Sequence, residues 1–261
     1  MESEAAGWGS DPTNDTPQAL ETPRDRGLSP AKRRILAIGE ILLCSSVPTQ
    51  ILIGGLLAVS GMSPLDLDGN LSLPFVVILS VADTILLVVL MVWLTRLHGE
   101  TVAGLWLGER PVRGEVRRGL LLIPVVFVMV VVLLNAMRLL APWLHNVEVN
   151  PLEQLAGTPG QAALFGIVAI VAGGLREELQ RAFLLRRFEQ HLGGATVGVV
   201  VLSVAFGLGH IVQGWDAVIT TGALGAFWAM LYLRRRSVVA PVISHSGFNS
   251  LEILRVAVSG Q

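Results

Sequence analysis

Three short groups of polar residues in the second half of the chain have side chains that can carry out hydrolysis. Carboxylate and imidazole groups can accept a proton from water, and imidazole and carboxamide groups can donate hydrogen bonds to an oxyanion. Together they favour hydrolysis of a peptide bond by an activated water, without a serine or cysteine nucleophile. The groups are Glu177, Glu178 and Arg181; Phe206 and His210; and His245 and Asn249.

Helical spacing places the members of each group on a common face. Arg181 follows Glu177 by four residues and Glu178 by three, so it can pair with either carboxylate. Desolvation in a membrane favours the neutral form of a carboxyl group, which brings a glutamate toward the proton affinity that a general base needs. The same spacing of one helical turn relates the remaining pairs, Phe206 with His210 and His245 with Asn249.

The elements that must position these groups are those of a membrane protein. The chain has 261 residues, of which 52% are hydrophobic and only 15% charged, and its mean hydropathy is +0.64. This composition is too apolar for an ordinary soluble domain, and apolar runs of about 20 residues are needed to cross a bilayer. The sequence therefore predicts an all-α, polytopic transmembrane helical bundle of about seven spans. The predicted spans are residues 35–60, 73–97, 119–143, 161–186, 195–211, 217–233 and 238–258.

The basic residues lie on alternate connections between these runs. Because Lys and Arg concentrate on the cytoplasmic side, the sequence predicts a multi-pass protein of the cell (plasma) membrane with a cytoplasmic N-terminus. Residues 1–33 are rich in Gly, Ser, Pro and acidic residues, which predicts a disordered cytoplasmic tail. Residues 34–158 are expected to form N-terminal transmembrane helices, and residues 159–261 the helices that carry the catalytic groups, with a site that opens toward the cytoplasmic half.

In their order along the chain, the three groups resemble the signature of the CPBP family of CAAX proteases and bacteriocin-processing enzymes, also called the ABI family. This family includes the eukaryotic CAAX prenyl endopeptidase, and its members are intramembrane endopeptidases of the glutamate type. The resemblance covers roughly residues 160–255. It implies that Glu177 activates water together with His210, that His245 and Asn249 form the oxyanion hole, and that Arg181 and Phe206 support the site.

The first group departs from the family pattern in one respect. The family writes this motif as Glu-Glu-x-x-x-Arg, whereas only Leu179 and Gln180 separate Glu178 from Arg181 here. The shortened spacing moves the arginine about 100° around the helix. It leaves open which of the two glutamates, Glu177 or Glu178, is the base and what Arg181 does.

Alternatives of other classes remain at this point. The sequence predicts no cofactor, but a zinc ion held by Glu177, His210 and His245 is an alternative, since two His and a Glu form an acceptable set of ligands. A non-catalytic membrane scaffold or bacteriocin-immunity protein would keep the same bundle, and a small transporter could use Glu and His as a proton relay. The expected partners are a membrane-associated protein or peptide substrate and the lipid bilayer. A net charge of −1 argues against nucleic acid.

Overall fold

The computed structural model describes residues 27–259, so most of the predicted disordered tail lies outside the described residues. Within that range the backbone is helical apart from its connections and one isolated bridge between Leu65 and Leu71. The prediction of an all-α fold is confirmed. The α-helices are α1 (Pro30–Leu43), α2 (Val47–Val59), α3 (Leu73–Leu97), α4 (Val102–Trp106), α5 (Val112–Leu140), α6 (Pro159–Val168), α7 (Glu177–His191), α8 (Gly194–Leu208), α9 (Trp215–Arg235) and α10 (Val239–Ser259).

The first predicted span is broken into two helices. α1 begins at Pro30, capped by the side chain of Ser29, and ends at Leu43. Ser46 then takes a left-handed conformation with φ 72°, and Pro48, which has no N–H to continue a helix, lies in the first turn of α2. The break frees polar groups of residues 44–46 to contact a neighbouring helix.

One long helix crosses the bundle from Pro159 to His191 and contains a π-helical segment. α6 leads into a π-helix over Ala169–Arg176, and α7 follows directly at Glu177. π-Helical turns hold an extra residue and occur frequently at functional sites. The predicted fourth span, 161–186, lies entirely within this helix.

Between residues 27 and 259, four helical segments are long and apolar enough to cross a membrane, namely Pro30–Val59, Leu73–Leu97, Val112–Leu140 and Trp215–Arg235. α8 is apolar but shorter. α3 and α5 expose large aliphatic side chains such as Ile85, Val89, Val128 and Val132, as expected of helices in contact with lipid. The protein is thus a helical membrane protein, whereas the count of seven spans stays a prediction.

The two ends of the bundle differ in charge. At one end, which we call the basic end, Arg186 pairs with Glu100, Arg236 pairs with Glu189, and Arg110 bonds to the carbonyl of Arg235. The opposite end, which we call the far end, holds residues 141–158 and 209–214, where Asn146 Oδ1 accepts a hydrogen bond from the backbone N–H of Trp215. Contacts within each set of connections therefore close the bundle at both ends.

Candidate functional site

A cavity of about 570 Å³ brings together side chains from all three groups predicted from the sequence. Its walls come from the π-helix and the start of α7, from the end of α8, and from α9 and α10. The predicted residues that line it are Glu177, Phe206, His210, His245 and Asn249. Glu178 and Arg181 lie behind this wall, against the imidazole of His245.

Glu178 is fully enclosed and engaged on both sides. Only 1% of its side chain is exposed, and it forms a buried ion pair with Arg181. Its Oε1 atom also lies 2.8 Å from Nδ1 of His245. Because an ionised carboxylate can only accept hydrogen bonds, Nδ1 of His245 must carry the proton of this contact. Glu178 therefore orients His245 and leaves the Nε2 atom of that ring to face elsewhere.

Glu177 faces the cavity. Its side chain is 19% exposed, and its Oε2 atom lies 3.9 Å from Nε2 of His245. Its Oε1 atom lies 3.4 Å from a guanidinium nitrogen of Arg176, which is a long contact for an ion pair. Two adjacent glutamates thus have different surroundings: Glu178 is held by short contacts, and Glu177 by long ones.

Trp228 is a residue of this site that the sequence did not single out. Its ring stacks on His245 at a centroid distance of 3.8 Å and an interplanar angle of 15°, and only 1% of the residue is exposed. Its indole N–H donates to the hydroxyl of Ser244 at 3.1 Å. The stack and the Glu178 contact together fix the plane and the tautomer of His245. A tryptophan in an apolar helix carries no sequence signal that separates this role from packing.

His210 lies just beyond the end of α8, because the helix stops at Leu208 and not at the predicted residue 211. Its Nδ1 atom lies 2.8 Å from the carbonyl oxygen of Phe206, which accepts the Nδ1 proton. Its Nε2 atom is therefore available to the cavity. In the part of the chain that the structure describes, no hydrogen bond or ion pair joins His210 to Glu177 or Glu178.

Asn249 ties α10 to the π-helix. Its amide nitrogen donates to the carbonyl oxygen of Ala169 at 3.2 Å, which leaves its second amide hydrogen free to donate. The close approach of α10 needs glycine on the π-helix, since a Cβ atom on Gly173 would lie 2.8 Å from Nδ2 of Asn249 and one on Gly174 would lie 1.9 Å from Oγ of Ser246. The π-helix and α10 therefore hold each other in place along the stretch that precedes Glu177.

Arg181 keeps a defined position despite the shortened motif. It pairs with Glu178 at a spacing of three residues, and its guanidinium lies 4.7 Å from the ring centroid of Phe206 and 5.8 Å from that of Trp228. The motif lacks one residue between Glu178 and Arg181, and the π-helix directly before Glu177 holds an extra residue per turn. The shortened spacing therefore does not prevent Arg181 from pairing with Glu178.

A second buried network reaches the site from the N-terminal helices. Arg176 donates to Oγ of Ser46 at 2.6 Å and lies 3.2 Å from Oδ2 of Asp83, whose residue is 1% exposed. Asp83 also accepts hydrogen bonds from the side chains of Thr49 and Gln50. Asp83 therefore links α3 to α2 and to the π-helix. These contacts connect the break between α1 and α2 to the residue that precedes Glu177.

The cavity extends from Glu177 toward the far end of the bundle. Its outer wall holds exposed Arg138 and His145, and His145 Nδ1 lies 2.7 Å from Oδ2 of buried Asp216. None of the arginines of the basic end lines it. The cavity thus extends away from the basic end, whereas an opening toward the cytoplasmic half stays a prediction, because it depends on the orientation of the bundle in the membrane. Residues of the loop 141–158 line the cavity near its entrance, because this loop is bonded to the start of α9.

The set of ligands considered for zinc is not assembled. Among residues 27–259, no group of three or more His, Cys, Asp or Glu side chains lies close enough to hold a metal ion. Glu177 approaches His245, but Nδ1 of His245 is bonded to Glu178, and His210 bonds to a backbone carbonyl. A catalytic zinc site needs three protein ligands around one point. The donor groups present here do not fit that arrangement.

One comparison with known proteins gives a match. Residues 159–251 match the family model described as type II CAAX prenyl endopeptidase, Rce1-like. No curated protein and no solved structure shows a significant match to the chain. The matched range contains Glu177, Glu178, His210, His245 and Asn249, but α1 to α5, including Asp83, lie outside it.

Proposed function

We propose that the chain is an intramembrane endopeptidase of the glutamate type, because residues 159–251 match the model of the Rce1-like type II CAAX prenyl endopeptidases, which are proteases. One observation carries the choice of the base. Glu177 faces the cavity opposite Nε2 of His245, whereas Glu178 is enclosed by Arg181 and Nδ1 of the same ring. Glu177 is the glutamate that a water in the cavity can reach.

The charges around the site support this assignment. Three carboxylates, those of Asp83, Glu177 and Glu178, surround two guanidinium groups, those of Arg176 and Arg181. Arg181 pairs with Glu178, and Arg176 lies nearer to Asp83 than to Glu177. Glu177 is then the carboxylate with the weakest compensation, and a weakly compensated carboxylate in a cavity is the better proton acceptor.

The 3.9 Å between Oε2 of Glu177 and Nε2 of His245 is too long for a direct hydrogen bond. It suits a water that bonds to both atoms. In the proposed reaction Glu177 takes a proton from this water as its oxygen attacks the carbonyl carbon of the scissile peptide bond. Glu177 then returns the proton to the leaving amine nitrogen as the tetrahedral intermediate collapses. Glu178 and Trp228 keep the imidazole of His245 in the orientation that this step needs.

His210 and Asn249 complete the polar wall. Asn249 keeps an amide hydrogen that can donate to an oxyanion in the cavity. The neutral ring of His210 donates through Nδ1 to the carbonyl of Phe206 and presents Nε2 to the cavity as a hydrogen-bond acceptor for water. The family resemblance assigns water activation to His210 and oxyanion binding to His245 with Asn249, whereas the geometry favours His245 as the partner of Glu177. If His245 works with Glu177, His245→Gln should lower kcat more than His210→Gln does.

The variants Glu177→Gln and Glu178→Gln test the proposal. A farnesylated CAAX peptide, the substrate class that the family name suggests, would be offered to purified protein in proteoliposomes. Membrane peptides of cells carrying the wild type or Glu177→Gln would be compared in parallel. Glu177→Gln should abolish cleavage while the protein still folds. Undiminished cleavage by both variants would refute a glutamate mechanism. Absence of cleavage by the wild type as well would favour the scaffold alternative, and loss of activity on chelation would favour the metal alternative.

The remaining features of the proposal follow from loop charge and helix order. We propose a multi-pass protein of the plasma membrane whose N-terminus is cytoplasmic, with residues 34–158 as supporting helices and 159–261 as the catalytic part. In this orientation the far end, toward which the cavity extends, lies on the side opposite the cytoplasm. Labelling of single cysteines introduced at residues 145 and 110, from either side of a sealed vesicle, tests the orientation.

A further inference from the structure

The network that ends at Glu177 begins on α2 and α3, which lie outside the range that matches the family. Asp83 on α3 is buried at 1% exposure and lies 3.2 Å from Arg176, which in turn lies 3.4 Å from Glu177. Thr49 and Gln50 of α2 donate to the two carboxylate oxygens of Asp83. A charged group buried among helices in this way needs a reason, because isolated carboxylates are costly to desolvate.

The Arg176 guanidinium has defined partners on several sides. Its Nε atom donates to the carbonyl of Ala172 at 3.2 Å, and one terminal nitrogen donates to Ser46 and Asp83. The other terminal nitrogen reaches Glu177. Ser46 can accept this bond because the chain breaks its helix there, and Gln180 donates to the same hydroxyl at 3.0 Å.

We infer that Asp83 is a positioning residue for the proposed reaction, and that it acts through Arg176. Asp83 holds the guanidinium at a distance from which it orients Glu177 without closing a short ion pair with it. Without the Asp83 charge, Arg176 would turn its full charge toward Glu177, and a tightly paired carboxylate is a weaker base. The N-terminal helices thus contribute to the reaction itself as well as to the bundle. This inference rests on the proposed function.

Charged and titratable groups reach Glu177 and its cavity from several packed elements. Its own helix contributes Arg176, Glu178 and Arg181, and α3 contributes Asp83 through Arg176. α10 contributes His245, with Glu252 and Arg255 elsewhere on the cavity wall. The end of α8 contributes His210, and the charged groups of the cavity wall from α5 and α9 are Arg138 and Asp216, at its far end. Among these, Asp83 is the group that competes with Glu177 for the same guanidinium.

A double-mutant cycle on full-length protein tests the inference, with the farnesylated peptide as substrate. Asp83→Asn should lower kcat on the order of 10- to 100-fold and leave KM unchanged, because Asp83 does not line the cavity. Arg176→Gln should lower kcat as well. The double variant should be no slower than Arg176→Gln alone, since Asp83 acts through that arginine.

Matched variants separate positioning from simple stability. Glu115 is a buried carboxylate that pairs with Arg235 and does not line the cavity, so Glu115→Gln should lower thermal stability but not kcat. Thr49→Val removes one hydrogen-bond donor to Asp83 and should lower kcat by a smaller factor than Asp83→Asn does. Thr49→Ser keeps the hydroxyl and should retain the kcat of the wild type. If Asp83→Asn keeps full kcat, or if its effect adds to that of Arg176→Gln, the inference is wrong. Undiminished cleavage by Glu177→Gln would instead overturn the proposed function.

Discussion

Glu178→Gln should mainly lower the stability of the protein, whereas Glu177→Gln should abolish cleavage with little loss of stability. Glu178→Gln removes the carboxylate from a fully buried pair and leaves the Arg181 charge uncompensated, which costs about 3–5 kcal/mol in buried sites. A loss of about 3–5 kcal/mol corresponds to a fall in Tm of roughly 6–20 °C for a chain of this size.

For Glu177→Gln the expected loss is about 1 kcal/mol or less, because its contacts with Arg176 and His245 are long and its side chain is partly exposed. Cys44 provides the assay. It is the only cysteine of the chain and is fully buried, so a thiol-reactive dye reports unfolding directly. The protein would be heated in detergent at neutral pH with this dye, and cleavage of the peptide substrate would be measured on the same preparations.

The matched control is the double variant Glu178→Gln/Arg181→Met. It removes the uncompensated charge as well, so it should regain part of the lost Tm. A Tm for Glu178→Gln equal to that of the wild type would contradict the expected cost of leaving the buried Arg181 charge uncompensated. A larger loss of Tm in Glu177→Gln than in Glu178→Gln would contradict the division of roles between the two glutamates.

Two further predictions concern packing and pH. Gly174→Ala should destabilise the protein by about 1–3 kcal/mol, because its Cβ atom would lie 1.9 Å from Oγ of Ser246, whereas Gly166→Ala, with no atom closer than 4.0 Å, should be tolerated. Burial opposes ionisation of Glu100 at the basic end, but Arg187 and Arg186 outweigh it and hold the pKa of Glu100 below its ordinary value of 4.5. Because the pKa of Glu100 is lower in the folded than in the unfolded protein, its ionised form stabilises the fold at pH values above about 4.5. Tm should therefore fall as the pH drops below about 4.5 and through the pKa of the folded protein. Glu100→Gln should flatten that acid limb, and an unchanged limb would refute the assignment.

The apolar runs and the three motifs were readable from the sequence for a physical reason. A helix in lipid must be long and apolar, and groups on one helix face recur at three or four residues, so both features are local in the chain. The bounds 73–97 of the second span match α3, and the pair between Glu178 and Arg181 follows from their spacing. The match of residues 159–251 to a protease family agrees with the resemblance carried by those motifs.

The break between α1 and α2 and the early end of α8 were not predicted. A single left-handed residue at Ser46, or a turn that stops a helix before His210, changes little in an apolar pattern. Both irregularities place polar groups beside the cavity. Such deviations are set by partners on other helices, and hydropathy contains no information about those partners.

Only the tertiary structure distinguished the two glutamates. Their positions in the sequence are adjacent and equivalent. The difference arises because His245, 67 residues from Glu178, directs Nδ1 to that carboxylate. Asp83, 93 residues from Arg176, engages the guanidinium beside Glu177. The sequence alone determined which residue types meet in the membrane. Packing between distant helices decided which carboxylate is neutralised, how Trp228 holds His245, and toward which end of the bundle the cavity extends, because those contacts depend on which helix faces meet.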